Sequence, residues 1–293
     1  MLTLDSVSKT YQIGAFGGTD LRAVRSVSFD VAPGEVVSLI GESGSGKSTI
    51  GRMILRLTPI TSGSISFEGV DVATLHRRGL KEYYRHVQGV FQDPFSSYNP
   101  IFKADRVFEL VRREFFPQAG SVEWRHKLDS ALEAVTLEPS QVLGKYPHQL
   151  SGGQLQRLLI ARALLLDIRF LVADEIISML DASTRIDVLN LLAALKARGL
   201  GILFITHDLS LGNYISEKTV ILRHGSIVEM GTTEKVFGEP RHPYTKMLLA
   251  SVPKLHAKWS VLEEAPHEGE SRQGGAEAPE LVAVEEDHLV ATG

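Results

Sequence analysis

A chain of 293 residues with 43% hydrophobic and 23% charged residues can build one large α/β domain or two small ones. Its formal net charge of −4 gives no bulk electrostatic reason to expect nucleic acid or an anionic lipid surface as a partner. The absence of cysteine excludes disulfides, thiolate zinc sites and cysteine-held iron–sulfur clusters, and fits a reducing compartment.

The first residues, MLTLDSVSKTY, lack a basic start followed by an apolar core, so no secretory signal is expected. Leu2, Leu4 and Val7, then Val27, Phe29 and Val31, alternate as half-buried strands do, with Gly14, Gly17 and Gly18 in a loop between them. Val36-Val37-Ser38-Leu39-Ile40 is a nearly continuous apolar run, the pattern of a central parallel strand buried on both faces. A helix should follow from Lys47 to about Leu57 and end near Pro59. Residues 87–91 read as a strand. From Pro94 to about Leu166 helical signals dominate: Leu128, Ala131, Leu132 and Val135 recur at helical spacing, as do Leu155, Leu158, Leu159 and Arg162. Phe170-Leu171-Val172-Ala173 and Ile202-Leu203-Phe204-Ile205 are further buried strands, joined in a βαβ unit by a helix from about 183 to 197. Residues 219–223 and 226–229 flank His224-Gly225 as a hairpin. Residues 263–293 are Glu-, Ala- and Gly-rich and read as a disordered acidic tail. No run of about 18 apolar residues occurs, so no transmembrane helix is expected and any membrane role falls to partners.

Gly41-Glu42-Ser43-Gly44-Ser45-Gly46-Lys47-Ser48 fits the pattern G-x-x-x-x-G-K-S, between a buried strand and a helix. Its glycines let backbone N–H groups turn toward phosphates, and the helix aims its positive end at them. Lys47 is expected at the β- and γ-phosphates and Ser48 at Mg²⁺. Gly41, Ser43, Gly44, Ser45, Gly46 and Thr49 complete the cradle, which implies ATP and Mg²⁺ as cofactors. Asp174-Glu175 closes the strand that begins at Phe170, where a carboxylate can hold Mg²⁺ beside such a loop. Asp174 takes that role, directly or through water, and Glu175 polarises the attacking water as general base. The plainer alternative is an acidic helix start, favourable for the helix dipole alone.

Leu150-Ser151-Gly152-Gly153-Gln154, followed by Gln156 and Arg157, adds a second motif. With it, residues 1–260 resemble the nucleotide-binding subunits of ABC transporters, whose signature is LSGGQ. The resemblance implies a P-loop NTPase of α/β class with a RecA-like parallel sheet. An N-terminal antiparallel β subdomain and an inserted helical subdomain at about 93–166 would belong to an ATPase domain at 1–230, with a C-terminal extension at 231–262. It also implies that two such domains sandwich two ATP molecules head to tail. Ser151, Gly152, Gly153 and Gln154 would then meet the γ-phosphate held by the partner's loop. Gln92 resembles the Q-loop glutamine, which contacts Mg²⁺ or the attacking water. His207 resembles the switch histidine, which contacts the γ-phosphate. Ser178-Met179-Leu180-Asp181 is similar to the D-loop, which places Asp181 at the dimer interface. Tyr11 either stacks on adenine or is a strand tyrosine packed in the core. One departure stands out: the family has proline after the catalytic glutamate, whereas Ile176-Ile177 follows Glu175, which restores an N–H and loosens that turn.

Pro240-Arg241-His242-Pro243-Tyr244-Thr245, with Leu248, Leu249, Ser251 and Pro253, resembles the C-terminal extension of the oligopeptide and dipeptide importer ATPases. The segment from Phe91 to Pro100 is similar to that group too. This implies an ATP-hydrolysing translocase subunit powering an importer of oligopeptides or dipeptides, peripheral at the cytoplasmic face of the membrane. Its partners would be a second, different ATPase subunit, two permeases and, indirectly, an extracytoplasmic binding protein, with no nucleic acid. Some relatives carry an iron–sulfur cluster in this extension, which a cysteine-free chain cannot. Three alternatives stay open: the same motor importing oligosaccharides or metal complexes, a soluble ABC ATPase outside transport, and a module that grips ATP without hydrolysing it. Tandem cassettes, a long coiled-coil insertion or zinc cysteines would mark the second, and none is visible. Glu175 and His207 argue against the third.

Overall fold

The computed structural model describes residues 1–14, 18–251 and 279–292. The N-terminal strands β1 (Leu2–Ile13) and β2 (Thr19–Val31) are antiparallel partners, and the apolar alternation read from the sequence faces inward: Leu2, Leu4, Val7, Val27, Phe29 and Val31 are all buried. Gly17 of the expected connecting loop lies outside the described residues. Next come β3 (Val36–Ile40), α1 (Lys47–Ile54), β4 (Ser62–Phe67) and β5 (Val70–Asp71). β4 pairs with the free side of β1 and β5 with β4, giving a four-stranded antiparallel sheet in the order β2-β1-β4-β5.

α2 (Arg77–His86) leads into β6 (Val87–Val90). The expected helical region then contains α3 (Arg106–Phe115), α4 (Ser121–Ala134), α5 (Pro139–Val142) and α6 (Gly152–Leu164). β7 (Phe170–Asp174), α7 (Ala182–Ala197), β8 (Gly201–Thr206), α8 (Leu209–Ile215), β9 (Lys218–Arg223) and β10 (Ser226–Thr232) follow. After α9 (Thr233–Gly238) and α10 (Pro243–Ala250), β11 (Leu281–Glu285) and β12 (His288–Ala291) end the described chain. The large sheet runs β11-β12-β10-β9-β3-β8-β7-β6, with β9, β3, β8, β7 and β6 parallel and the rest antiparallel.

The central strands bury both faces. Val36, Leu171, Ala173, Ile202 and Phe204 join the core beneath α4, α6 and α7, while Val37, Leu39, Val172, Leu203 and Ile205 join the core shared with α1 and the antiparallel sheet. Burying each large aliphatic side chain contributes roughly 1.5–3 kcal/mol, so these runs fix the sheet and the strand ends that carry the site. α1 lies close over β7 and β8: a Cβ on Gly51 would come within 3.1 Å of both Ile205 and Val172 side chains.

The expected disordered tail at 263–293 needs correcting where it is described. Residues 281–291 form the hairpin β11–β12, and β12 pairs with β10. The tail's average composition hides a local pattern: Leu281-Val282-Ala283-Val284 and Leu289-Val290-Ala291 are strand-forming runs, joined by a turn with Asp287 at φ 55°. His288 is fully buried against the equally buried Glu229 of β10, with Nε2 2.7 Å from Oε1. That contact is non-local and leaves no mark in the sequence.

Candidate functional site

A cleft of about 760 Å³ opens where the C-terminal ends of β3, β7 and β8 converge, lined among others by Tyr11, residues 41–44 and 46–49, Gln92, Glu175 and His207. The loop from β3 to α1 is pressed close to two strands. A Cβ on Gly41 would lie 2.2 Å from the Leu222 carbonyl oxygen of β9. Gly46 has φ 107°, and a Cβ there would fall 2.4 Å from the Ala23 carbonyl oxygen of β2. The turn of the β9–β10 hairpin pins the loop, with Gly225 N–H donating to the Ser45 carbonyl at 2.9 Å.

Lys47 is buried, and its Nζ donates to the Gly41 and Glu42 carbonyls at 2.7 and 2.8 Å. Burial lowers its pKa, while Glu175, Asp174 and Glu42 pull it back up. A desolvated ammonium so placed is satisfied best by an anion. Ser45 Oγ is buried without a hydrogen-bond partner among the described residues. A loop with no room for a Cβ at Gly41 or Gly46, a helix N-terminus and a buried ammonium together fit a polyphosphate.

Ser48 Oγ donates to Asp174 Oδ1 at 3.2 Å. Burial pushes the Asp174 carboxyl up from its ordinary pKa, against the Ser48 bond that lowers it. These are hard oxygen donors side by side. Among the described residues there is no group of three or more His, Cys, Asp and Glu side chains placed to hold a metal. The Ser48 hydroxyl and the Asp174 carboxylate are a donor set of the kind that fits Mg²⁺, which is usually bound by one or two carboxylates plus substrate phosphates.

Glu175 sits at φ 50°, with its N–H donating to the Ile205 carbonyl at 2.9 Å. This left-handed conformation costs a non-glycine residue energy and turns the chain sharply out of the strand. His207 Nδ1 lies 3.2 Å from Glu175 Oε1. Ile176-Ile177 follows Glu175 in the turn out of β7. Both isoleucines are buried in the core beneath the helices, and Ser178 N–H and Oγ close on the Glu175 carbonyl at 3.1 and 2.9 Å.

The remaining expected residues lie elsewhere. Ser151 caps α6, accepting Gln154 N–H at 3.2 Å, while Gln154 Oε1 accepts Ser151 N–H at 2.9 Å. Asp181 caps α7 and accepts from Ser183 Oγ at 2.6 Å and from Thr184 N–H and Oγ1 at 3.0 and 2.9 Å, bonds that hold its carboxyl well below the usual range. A Cβ on Gly153 would come within 2.7 Å of the Thr184 methyl, so these two caps are neighbours. None of residues 151–154 and 181 lines the cleft. The expected site is thus two groups of residues in one chain.

Besides Ile40 at the end of β3, sequence reasoning missed four residues of the site. Leu21, the cross-strand partner of Tyr11, and Ala23 line the cleft from β2. Leu248 lines it from α10, and the hydroxyl of Tyr244, one helical turn earlier, accepts the Glu42 N–H at 3.2 Å. The i, i+4 spacing of Tyr244 and Leu248 was the available signal. Tyr11 itself lies at the cleft, half-buried, with Lys9 Nζ 4.9 Å from its ring centroid, rather than in the core.

Residues 24–178 match the family described as ABC transporter, and residues 228–277 match that described as oligopeptide/dipeptide transporter, C-terminal region. The chain is 43% identical over 255 residues to a putative peptide import ATP-binding protein of Brucella ovis, spanning 86% of this chain and 78% of that protein. It is 40% identical over 262 residues to an oligopeptide transport ATP-binding protein of Streptococcus mutans, spanning 87% and 82%. It also superposes on a dimeric ATP-binding cassette in a post-hydrolysis state with ADP and Pi, with a TM-score of 0.71, 29% identity, and coverage of 80% of this chain and 99% of the other.

Proposed function

The chain belongs to the ABC transporter family of ATP-hydrolysing subunits, and from that premise we propose that it is one half of the motor of a peptide importer. The observation that carries this reading is the division of its site. The phosphate loop, Gln92, Glu175 and His207 gather at one cleft, with Asp174 bonded to Ser48 of that loop, while Ser151–Gln154 and Asp181 form a separate patch. A site divided this way is completed by a second cassette placed head to tail.

In the proposed reaction the triphosphate of ATP lies on residues 41–49, with Tyr11, Leu21 and Leu248 beside the nucleoside. Lys47 turns from the two carbonyls to the β- and γ-phosphates. Ser48, Asp174 and Gln92 would hold Mg²⁺, which supplies charge neutralisation on the phosphates. Water attacks the γ-phosphorus in line as the bond to the β–γ bridging oxygen breaks, releasing ADP and phosphate. Glu175 accepts the water's proton, and His207, in contact with Glu175, orients that carboxylate and faces the γ-phosphate. The partner's equivalents of Ser151, Gly152, Gly153 and Gln154 close over the γ-phosphate, and Asp181 links the two sites.

The match at residues 228–277 and the names of the relatives support oligopeptides or dipeptides as cargo. No helix among the described residues is long and apolar enough to cross a membrane. Location at the cytoplasmic face would then come from docking on two permeases, alongside a second and different ATPase subunit. An extracytoplasmic binding protein would deliver the cargo, and nucleic acid has no part.

Phosphate release by the assembled complex tests the chemistry: Glu175→Gln should bind ATP and hydrolyse it far more slowly, and equal rates would refute the general-base assignment. Purification from detergent extracts tests the setting. Permease subunits should accompany the chain, and nucleic acid in their place would refute the importer reading.

A further inference from the structure

We propose that Tyr244 is a positioning residue of the nucleotide site, through which the C-terminal extension sets the shape of the phosphate loop. The inference rests on the assignment of residues 41–49 to ATP and adds a part to that site.

Glu42 is the first residue of the loop beyond Gly41, and its backbone is held at both ends. Its carbonyl accepts Lys47 Nζ at 2.8 Å and Ser45 N–H at 3.2 Å. Its N–H donates to the Tyr244 hydroxyl at 3.2 Å. Tyr244 is the partner from outside the loop. When Lys47 turns to phosphates it gives up the Glu42 carbonyl, and the Tyr244 bond continues to restrain that peptide. The phenol is well seated for this. It is buried, belongs to one core cluster with Ile40, Val228, Val236 and Ala291, and lies under the Arg223 guanidinium at 5.1 Å from the ring centroid. Leu248, one turn on, reaches the cleft itself.

The start of α10 is held in turn by the end of the chain. The Glu229 carboxylate accepts Arg241 N–H at 2.8 Å and His242 N–H at 3.0 Å, and Tyr244 N–H donates to His242 Nδ1 at 3.0 Å. The same carboxylate meets His288 Nε2 of β12 at 2.7 Å. Arg241 pairs with Glu285 of β11 at 2.7 Å, and Lys235 donates to the Glu286 carbonyl. A continuous path of polar contacts therefore runs from the β11–β12 hairpin through Glu229 and α10 to the phosphate loop.

The test is Tyr244→Phe in the full-length chain, which keeps the ring and its contact with Arg223 and removes only the hydroxyl. Loss of one hydrogen bond to the loop should weaken MgATP binding about threefold to tenfold. In the assembled transporter the KM for ATP should rise by a similar factor with kcat unchanged, and the thermal midpoint should fall by only about 1–4 °C, the loss of one hydrogen bond. His288→Ala should weaken binding as well, and combining it with Tyr244→Phe should add less than the product of the two effects, because both act on one contact. An unchanged dissociation constant in Tyr244→Phe, or a fall in kcat alone, overturns the proposal, provided that Lys47→Ala loses nucleotide. Binding that survives Lys47→Ala overturns the site assignment instead.

Discussion

Alanine at each of three glycines of the phosphate loop should separate the two reasons for glycine there. Gly44 has φ 80° and open space around its Cβ direction, so Gly44→Ala meets conformational strain alone. That strain is about 1–2 kcal/mol, which limits the loss of affinity to roughly 5- to 30-fold. Gly41 has no positive φ, yet its Cβ would lie 2.2 Å from the Leu222 carbonyl and 2.8 Å from Ser45 Oγ. The neighbour is strand backbone, so the loop must move, at the ~1–3 kcal/mol typical of overpacking. Gly46 combines φ 107° with a Cβ 2.4 Å from the Ala23 carbonyl. The two terms together give about 2–5 kcal/mol, or roughly 30-fold to several thousand-fold weaker binding if the loop regains its shape only on binding. Titration with a fluorescent ATP analogue, paired with thermal unfolding, measures both parts. The expected order of damage is Gly46 greatest, Gly41 intermediate and Gly44 least. Equal losses at Gly44 and Gly46 would refute the close approach of β2 as a cause.

Glu175→Gln should cut phosphate release by the complex roughly 10²- to 10⁴-fold with ATP binding retained, read by single-turnover hydrolysis. Asp174→Asn should raise the melting temperature of the nucleotide-free chain at neutral pH while removing the Mg²⁺ dependence of ATP binding. The sign follows from the raised carboxyl pKa: protonation is favoured in the folded state, so this group's contribution is best below the ordinary aspartate range and declines as pH rises through the raised value. Ser151→Ala removes the cap of α6, which should cost about 1 kcal/mol in an unfolding titration, and should also abolish the complex's stimulated hydrolysis. His288→Leu leaves Glu229 with only its two backbone donors and should lower stability by roughly 1–3 kcal/mol, seen as an earlier melt.

The central strands were legible because burial on both faces writes itself as an unbroken apolar run, as at Val36–Ile40 and Phe170–Asp174. The phosphate loop was legible because close approach of backbone leaves glycine as the only choice at Gly41 and Gly46. Two parts were not. The β11–β12 hairpin was hidden by the acidic composition around it, and what holds it, His288 on Glu229, spans 59 residues of sequence. The Tyr244 contact with Glu42 spans 202 residues, so the tyrosine showed only as a letter of a family motif, without its partner.

The division of the site into a cleft and a separate Ser151–Asp181 patch is the central claim, and the rate of ATP hydrolysis as a function of assembly state tests it most directly. With nucleotide binding followed in parallel, the isolated monomer should bind ATP and release little phosphate, and turnover should appear only when a second cassette is present. A chromatographically defined monomer that hydrolyses ATP as fast as the assembled pair would contradict it.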